Sequence, residues 1–87
     1  MDVINVTILF FAKGRELRGQ REDQTAIISQ PSGADLYKLV VDKFPCLEPI
    51  RDHFALALNE EYIEKSDQII TLSEGDQLAV IPPISGG

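Results

Sequence analysis

Eighty-seven residues make one small domain, which buries only about 60–65% of its unfolded surface and has little interior to spare for a deep substrate cavity. A hydrophobic content of 44% excludes disorder as the default. The net charge of −6 excludes a nucleic-acid binder, which needs a positive surface to release counterions from phosphates.

The first predicted element is a strand over 4–11. Ile4, Val6, Ile8 and Phe10 fall on one face, and Leu9 and Phe11 make the other face partly apolar, so this strand reads as central and covered on both sides. Residues 12–18 have short helical character that stops at Gly19, and Gly14 is a weak spot within it, costing about 1 kcal/mol relative to alanine. A second strand, rich in β-formers, is expected over 25–29. Pro31-Ser32-Gly33 then breaks the chain and introduces the main helix. Ser32 with Asp35 has the form of a capping box. Leu36, Leu39, Val40 and Phe44 follow at helical spacing as one apolar stripe, Lys43 suits the negative pole, and Pro45 stops the helix.

The second half is read as short β elements. Phe54, Leu56 and Leu58 alternate in a strand over 54–58, Asn59-Glu60-Glu61 makes a turn, and Tyr62-Ile63 is a brief return. Residues 69–72 add a short turn or strand. Glu74-Gly75-Asp76 is a tight reversal in which Gly75 can take positive φ, and 77–82 is the last strand. The predicted class is an α+β roll with one helix lying across a mixed sheet. Residues 1–82 form the domain, and 83–87 form an extended tail.

Folding does not explain Pro82-Pro83-Ile84-Ser85-Gly86-Gly87. The prolines end sheet pairing and hold an extended path. Two terminal glycines arise by chance in roughly one chain in 200 at ordinary glycine usage. Five extended residues reach at most about 17 Å beyond the sheet. Without a Cβ, Gly86 and Gly87 can thread a channel that would exclude any other residue. What such a tail delivers is the carboxylate of Gly87. A carboxylate is a poor electrophile, so a partner enzyme must activate it, typically by adenylation with ATP. An amine or a sulfur donor can then capture the acyl-adenylate. Capture by sulfur leaves a thiocarboxylate on a narrow arm.

The remaining chemistry is thin. Through Phe44 six acids balance six bases, and from Pro45 eight acids face only Arg51 and Lys65. Such a surface favours a basic protein partner or simply maintains solubility. The basic run Arg15, Arg18, Arg21 is sparse and interrupted by Glu16. His53, the only histidine, reads as structural or solvated rather than as a general base. Cys46, the only cysteine, reads as an inert thiol rather than a persulfide relay and fits a reducing compartment. Glu60 and Glu61 read as a solvated turn. No Cys/His cluster has metal-ligand spacing, so no metal is expected, and Gly75 is an isolated turn residue rather than part of a phosphate loop. No run spans a bilayer and the N-terminus lacks the pattern of a signal peptide, so the chain is expected in the cytosol.

Taken together, these segments resemble a known family, the small subunit of molybdopterin synthase. The resemblance covers essentially the whole length. It rests on Leu9-Phe10-Phe11-Ala12 with Arg15-Glu16-Leu17, on Glu74-Gly75-Asp76-Gln77-Leu78-Ala79-Val80, and above all on the ending from Pro82 to Gly87. It implies a ubiquitin-like β-grasp fold with the last strand beside the first. It also implies that Gly87 is adenylated by a ubiquitin-activating-type enzyme, which consumes ATP, and becomes a thiocarboxylate (1-thioglycine). The tail from Pro82 through Gly86 would insert into the large subunit, in a heterotetramer of two small and two large subunits. There it would supply sulfur to cyclic pyranopterin monophosphate, with the catalytic groups on the large subunit and no cofactor held permanently by this chain.

Close alternatives are a sulfur carrier for thiamine synthesis or tRNA thiolation, which would share the tail chemistry. A ubiquitin-like covalent modifier is a further reading, although Ile84-Ser85 is neutral where such tails usually carry a base. A plain interaction module is the last. Phe11 and Ile81, the apolar residues least needed by the core, are the candidates to anchor a large subunit.

Overall fold

The chain runs through strand β1 (Val3–Phe10), helix α1 (Ala12–Arg18), strand β2 (Glu22–Ile28), helix α2 (Gly33–Lys43), a 3₁₀ helix (Pro45–Ile50), and strands β3 (Ala55–Leu58), β4 (Glu61–Ile63) and β5 (Gln77–Ile81). The computed structural model describes residues 2–82. All five strands form one sheet in the order β2-β1-β5-β3-β4. Strand β1 runs antiparallel to β2 and parallel to β5, while β3 is antiparallel to both β5 and β4. This is the mixed-sheet α+β roll expected from the sequence, with the last strand beside the first.

One face of the sheet carries the core. Val6, Ile8 and Phe10 of β1 meet Leu36, Tyr37 and Val40 of α2, with Leu56, Ile63, Leu78 and Val80 from the other strands. Phe44 closes one end, edge-on to Phe10 at 5.2 Å between ring centroids, a geometry that aromatic pairs favour. Helix α2 presents the expected stripe and adds Tyr37, whose ring stacks on Phe54. The Tyr37 hydroxyl accepts from Leu56 N–H at 2.8 Å and donates to the Ile63 carbonyl at 3.0 Å. Those two residues face each other across β3 and β4, so one phenol ties the helix to both strands and leaves none of the three groups unsatisfied.

The start of α2 is fastened from outside. Ser32 Oγ accepts from Asp35 N–H at 3.0 Å; only this arm of the capping box forms. The other free N–H groups are met by the crossing segment 64–72: Gly33 N–H donates to Gln68 O and Ala34 N–H to Ser66 O. Ile70 and Leu72 in turn donate to Pro31 O and Ser29 O. Residues 69–72 are therefore an extended crossing held to 29–33, with a single bridge from Ile69 to Ser32, rather than a strand.

Four further boundaries differ from expectation. Strand β2 begins three residues early because pairing with β1 continues to Leu9 opposite Glu22, through polar residues that hydrophobic patterning cannot register. Pro45 ends α2 but begins the 3₁₀ helix, where its missing N–H is no loss at a helix start. The β3–β4 turn is Asn59-Glu60 alone, both at positive φ, and Glu61 already pairs with Leu58. The last strand stops at Ile81.

A further expectation concerned the second face of β1. Strand β1 is central, yet both helices and the 3₁₀ helix pack on one side, and Phe11 remains 49% exposed on the other. No described element covers its second apolar face.

Candidate functional site

Strand registry assembles that uncovered face from four strands. Leu9 of β1 lies opposite Ala79 of β5, Ala79 opposite Ala57 of β3, and Ala57 opposite Tyr62 of β4. Ile81 is paired with Ala55 one step further along the same face, next to Phe11, which follows the end of β1. The result is a shallow saucer. Alanines form its floor, while Leu9, Phe11, Ile81 and Tyr62 form its walls, with Asn59, Glu60 and Gln77 at one rim. Ala57 is buried even though it lies on this side of the sheet. Tyr62 is 72% exposed, the most of any large apolar side chain among the described residues. An exposed apolar patch with a polar rim on a small domain marks a contact surface.

The parallel pairing of β1 with β5 decides where the tail begins. Phe10 faces Val80, so the chain leaves β5 beside Phe11 and the start of α1. Pro82 is buried; a Cβ built on Gly14 would lie 3.8 Å from its ring and 3.5 Å from Val80 Cγ1. Pro82, the last residue of the expected domain and the first of the segment expected to enter a partner, is thus seated against α1. Pro83, Ile84, Ser85, Gly86 and the proposed reactive Gly87 lie outside the described residues.

Phe11 and Ile81, the two candidate anchors, are neighbours on the saucer wall. Leu9, Tyr62, Ala57 and Ala79 were missed as its other members. The signal that could have found them is the apolar character of the outward positions in β1, β3 and β5, together with small alanines where a sheet face would otherwise carry bulk or charge.

The other candidates are dispersed. Cys46 sits half-buried in the 3₁₀ helix as a free thiol. His53 is exposed after that helix, its backbone N–H bound to Ile50 O. Glu60 is in the turn and Glu61 in β4. Among the described residues no group of three His, Cys, Asp or Glu could hold a metal ion, and no helix is long and apolar enough to cross a membrane. In the basic run, Arg18 donates to the Asp23 carboxylate and lies 5.4 Å from the Phe44 ring centroid. The Arg18 hydrogen bond, helped by Gln24 N–H, holds the Asp23 carboxyl below its ordinary value of 3.8.

The ThiS family model matches residues 8–87, from the middle of β1 through Gly87. The chain belongs to the ThiS family. Among relatives, this ThiS-family chain is 47% identical to the molybdopterin synthase sulfur carrier subunit of Drosophila yakuba, over 98% of the chain and 93% of that protein. It is 38% identical to the protein of the same name from Homo sapiens, over 94% of the chain and 93% of that protein. Among solved structures it resembles small archaeal modifier protein 1 from Haloferax volcanii (TM-score 0.73, 22% identity, 93% of this chain and 99% of that one). It also resembles a chain in the complex of subunits 1 and 2 of molybdopterin-converting factor from Helicobacter pylori (TM-score 0.68, 19% identity, 97% and 100% covered). At these identities the likeness is one of fold: the ubiquitin-like β-grasp roll implied by the sequence.

Proposed function

We propose that this chain is the sulfur-carrying subunit of a molybdopterin synthase and that the carboxylate of Gly87 is its reacting group. The observation that carries the reading is a family match that runs through Gly87 on a chain whose last strand leaves the sheet beside an uncovered apolar face. The curated relatives at 38–47% identity share the name of sulfur carrier subunit.

The chemistry follows from what a carboxylate lacks. An activating enzyme lets the Gly87 carboxylate attack the α-phosphorus of ATP and expels pyrophosphate, converting a poor electrophile into an acyl-adenylate. A sulfur nucleophile then attacks the acyl carbon and AMP departs, leaving the thiocarboxylate. In the large subunit, that sulfur is given to cyclic pyranopterin monophosphate, and water returns Gly87 to its carboxylate. The saucer of Leu9, Phe11, Ile81, Ala79, Ala57 and Tyr62 is the surface on which the large subunit sits, with two small and two large subunits in the assembly. The domain's own part is positional: burying Pro82 means that the reach is counted from Pro83, at most about 17 Å over five extended residues. ATP belongs to the activating enzyme, and the setting is the cytosol, where a lone thiol such as Cys46 stays reduced.

The test is the intact mass of the protein after incubation with the activating enzyme, ATP and a sulfur donor, followed by addition of large subunit and cyclic pyranopterin monophosphate. Replacement of one oxygen by sulfur at Gly87, reversed when molybdopterin forms, is the expected result. Adducts linked through lysine would make the chain a protein modifier instead. Sulfur loading without transfer to the pterin would move it to thiamine synthesis or tRNA thiolation.

A further inference from the structure

We infer that Arg15 and Arg21 form a two-guanidinium anchor for a carboxylate on the rim of the large subunit's tail channel. This inference rests on the reading of the chain as the small synthase subunit.

Leu9 and Phe11 belong to two depressions at once. On one side they wall the saucer; on the other they floor a second hollow bounded by Ala12, Arg15, Arg21 and Glu22. The three arginines of this region have different surroundings. Arg18 is engaged with Asp23 and Phe44. Arg15 and Arg21 are exposed and make no ion pair among the described residues. In a chain of net charge −6, two uncommitted guanidiniums therefore stand at the end of the sheet where the tail departs. The hairpin acids Glu60 and Glu61 lie at the opposite end of β3. An apolar floor with fork-shaped donors on its wall fits a carboxylate side chain presented next to an apolar one.

The occupant follows from position. A tail of five residues, when extended, carries Gly87 about 17 Å from its base, so Arg15 and Arg21 at that base are remote from the phosphates of an adenylate. They touch whatever surrounds the channel mouth. Leu9 and Phe11 are common to this hollow and to the saucer on which the large subunit sits, so a large subunit seated there also covers Arg15 and Arg21. Glu22, on the wall of the same hollow, opposes an incoming carboxylate.

The experiment measures the affinity of full-length chain for the large subunit at low and high salt. The R15E/R21E variant is expected to bind about tenfold or more weakly at low salt, with the gap closing as salt screens the pair. R15K/R21K retains part of the affinity, and E22Q binds somewhat more tightly than wild type. At saturating carrier the rate of sulfur transfer is unchanged, and thermal unfolding of the variants matches wild type, because neither arginine makes an ion pair among the described residues. Replacing a channel-rim carboxylate of the large subunit with lysine restores binding of R15E/R21E. Equal affinities, or a loss that ignores salt, would overturn the anchor; so would a loss seen only with the activating enzyme. Failure of the unaltered chain to bind the large subunit at all would instead overturn the synthase reading, and the anchor with it.

Discussion

Gly33 tolerates no side chain, for a reason of space rather than of backbone angle. A Cβ there would lie 2.0 Å from the Glu64 carbonyl oxygen. The loop that carries this carbonyl cannot give, because Gly33 and Ala34 hold it through Gln68 O and Ser66 O. Gly33→Ala is expected to cost about 3 kcal/mol, measured by denaturant unfolding. Tyr37→Phe removes only an oxygen but strands a buried N–H at Leu56 and a carbonyl at Ile63. We expect a loss of about 1–3 kcal/mol with the packed ring left in place. Asp23 supplies a pH dependence. Its carboxyl is held below the ordinary 3.8, chiefly by the Arg18 hydrogen bond. A depressed folded pKa means that the contribution is present above the ordinary carboxylate range and is lost as pH falls through the folded value. Asp23→Asn is therefore less stable than wild type at neutral pH, and the two melting curves converge in acid.

Elements show where local patterning suffices and where pairing overrides it. Helix α2 was legible because its cap, its stripe from Leu36 to Phe44 and its terminating Pro45 all lie within a few turns of one another. The polar start of β2 was not, since Glu22 to Gln24 become strand only by lying opposite Thr7 to Leu9. The β3–β4 turn was recognised as a turn, yet registry between Leu58 and Glu61 decided that its central pair is Asn59-Glu60. Both residues have positive φ, at 48° and 76°, as a two-residue hairpin with the right twist requires. Asn59 is secured by Gln77 N–H and Asp76, whereas Glu60 bears the left-handed conformation without such support. Glu60→Gly should raise stability by about 0.5–1 kcal/mol, read as a higher melting temperature with the sheet unchanged.

For the whole molecule, reactivity and stability are separable. Among the described residues the core runs from Val6 to Val80. Deleting Gly87, or adding one residue after it, is expected to abolish sulfur loading by the activating enzyme while leaving the melting temperature within about 1 °C of wild type, the change of a surface substitution or less. A large fall in melting temperature in either variant would mean that the tail is part of the fold.

The sequence alone determined the α+β class, the position of α2, the turn at Gly75 and the ending from Pro82 to Gly87. These rest on local rules, namely helical period, capping, proline and glycine geometry, that act over a few residues. Tertiary structure decided that Leu9, Phe11, Ala57, Tyr62, Ala79 and Ile81 are one surface, that Pro82 packs beside Gly14, and that Arg15 and Arg21 stand at the tail's exit. The physical reason is that alternation assigns each strand two faces without saying which strands become neighbours. Setting β5 parallel to β1, with Phe10 opposite Val80, is a contact across most of the chain, and only the closing of the common core selects it.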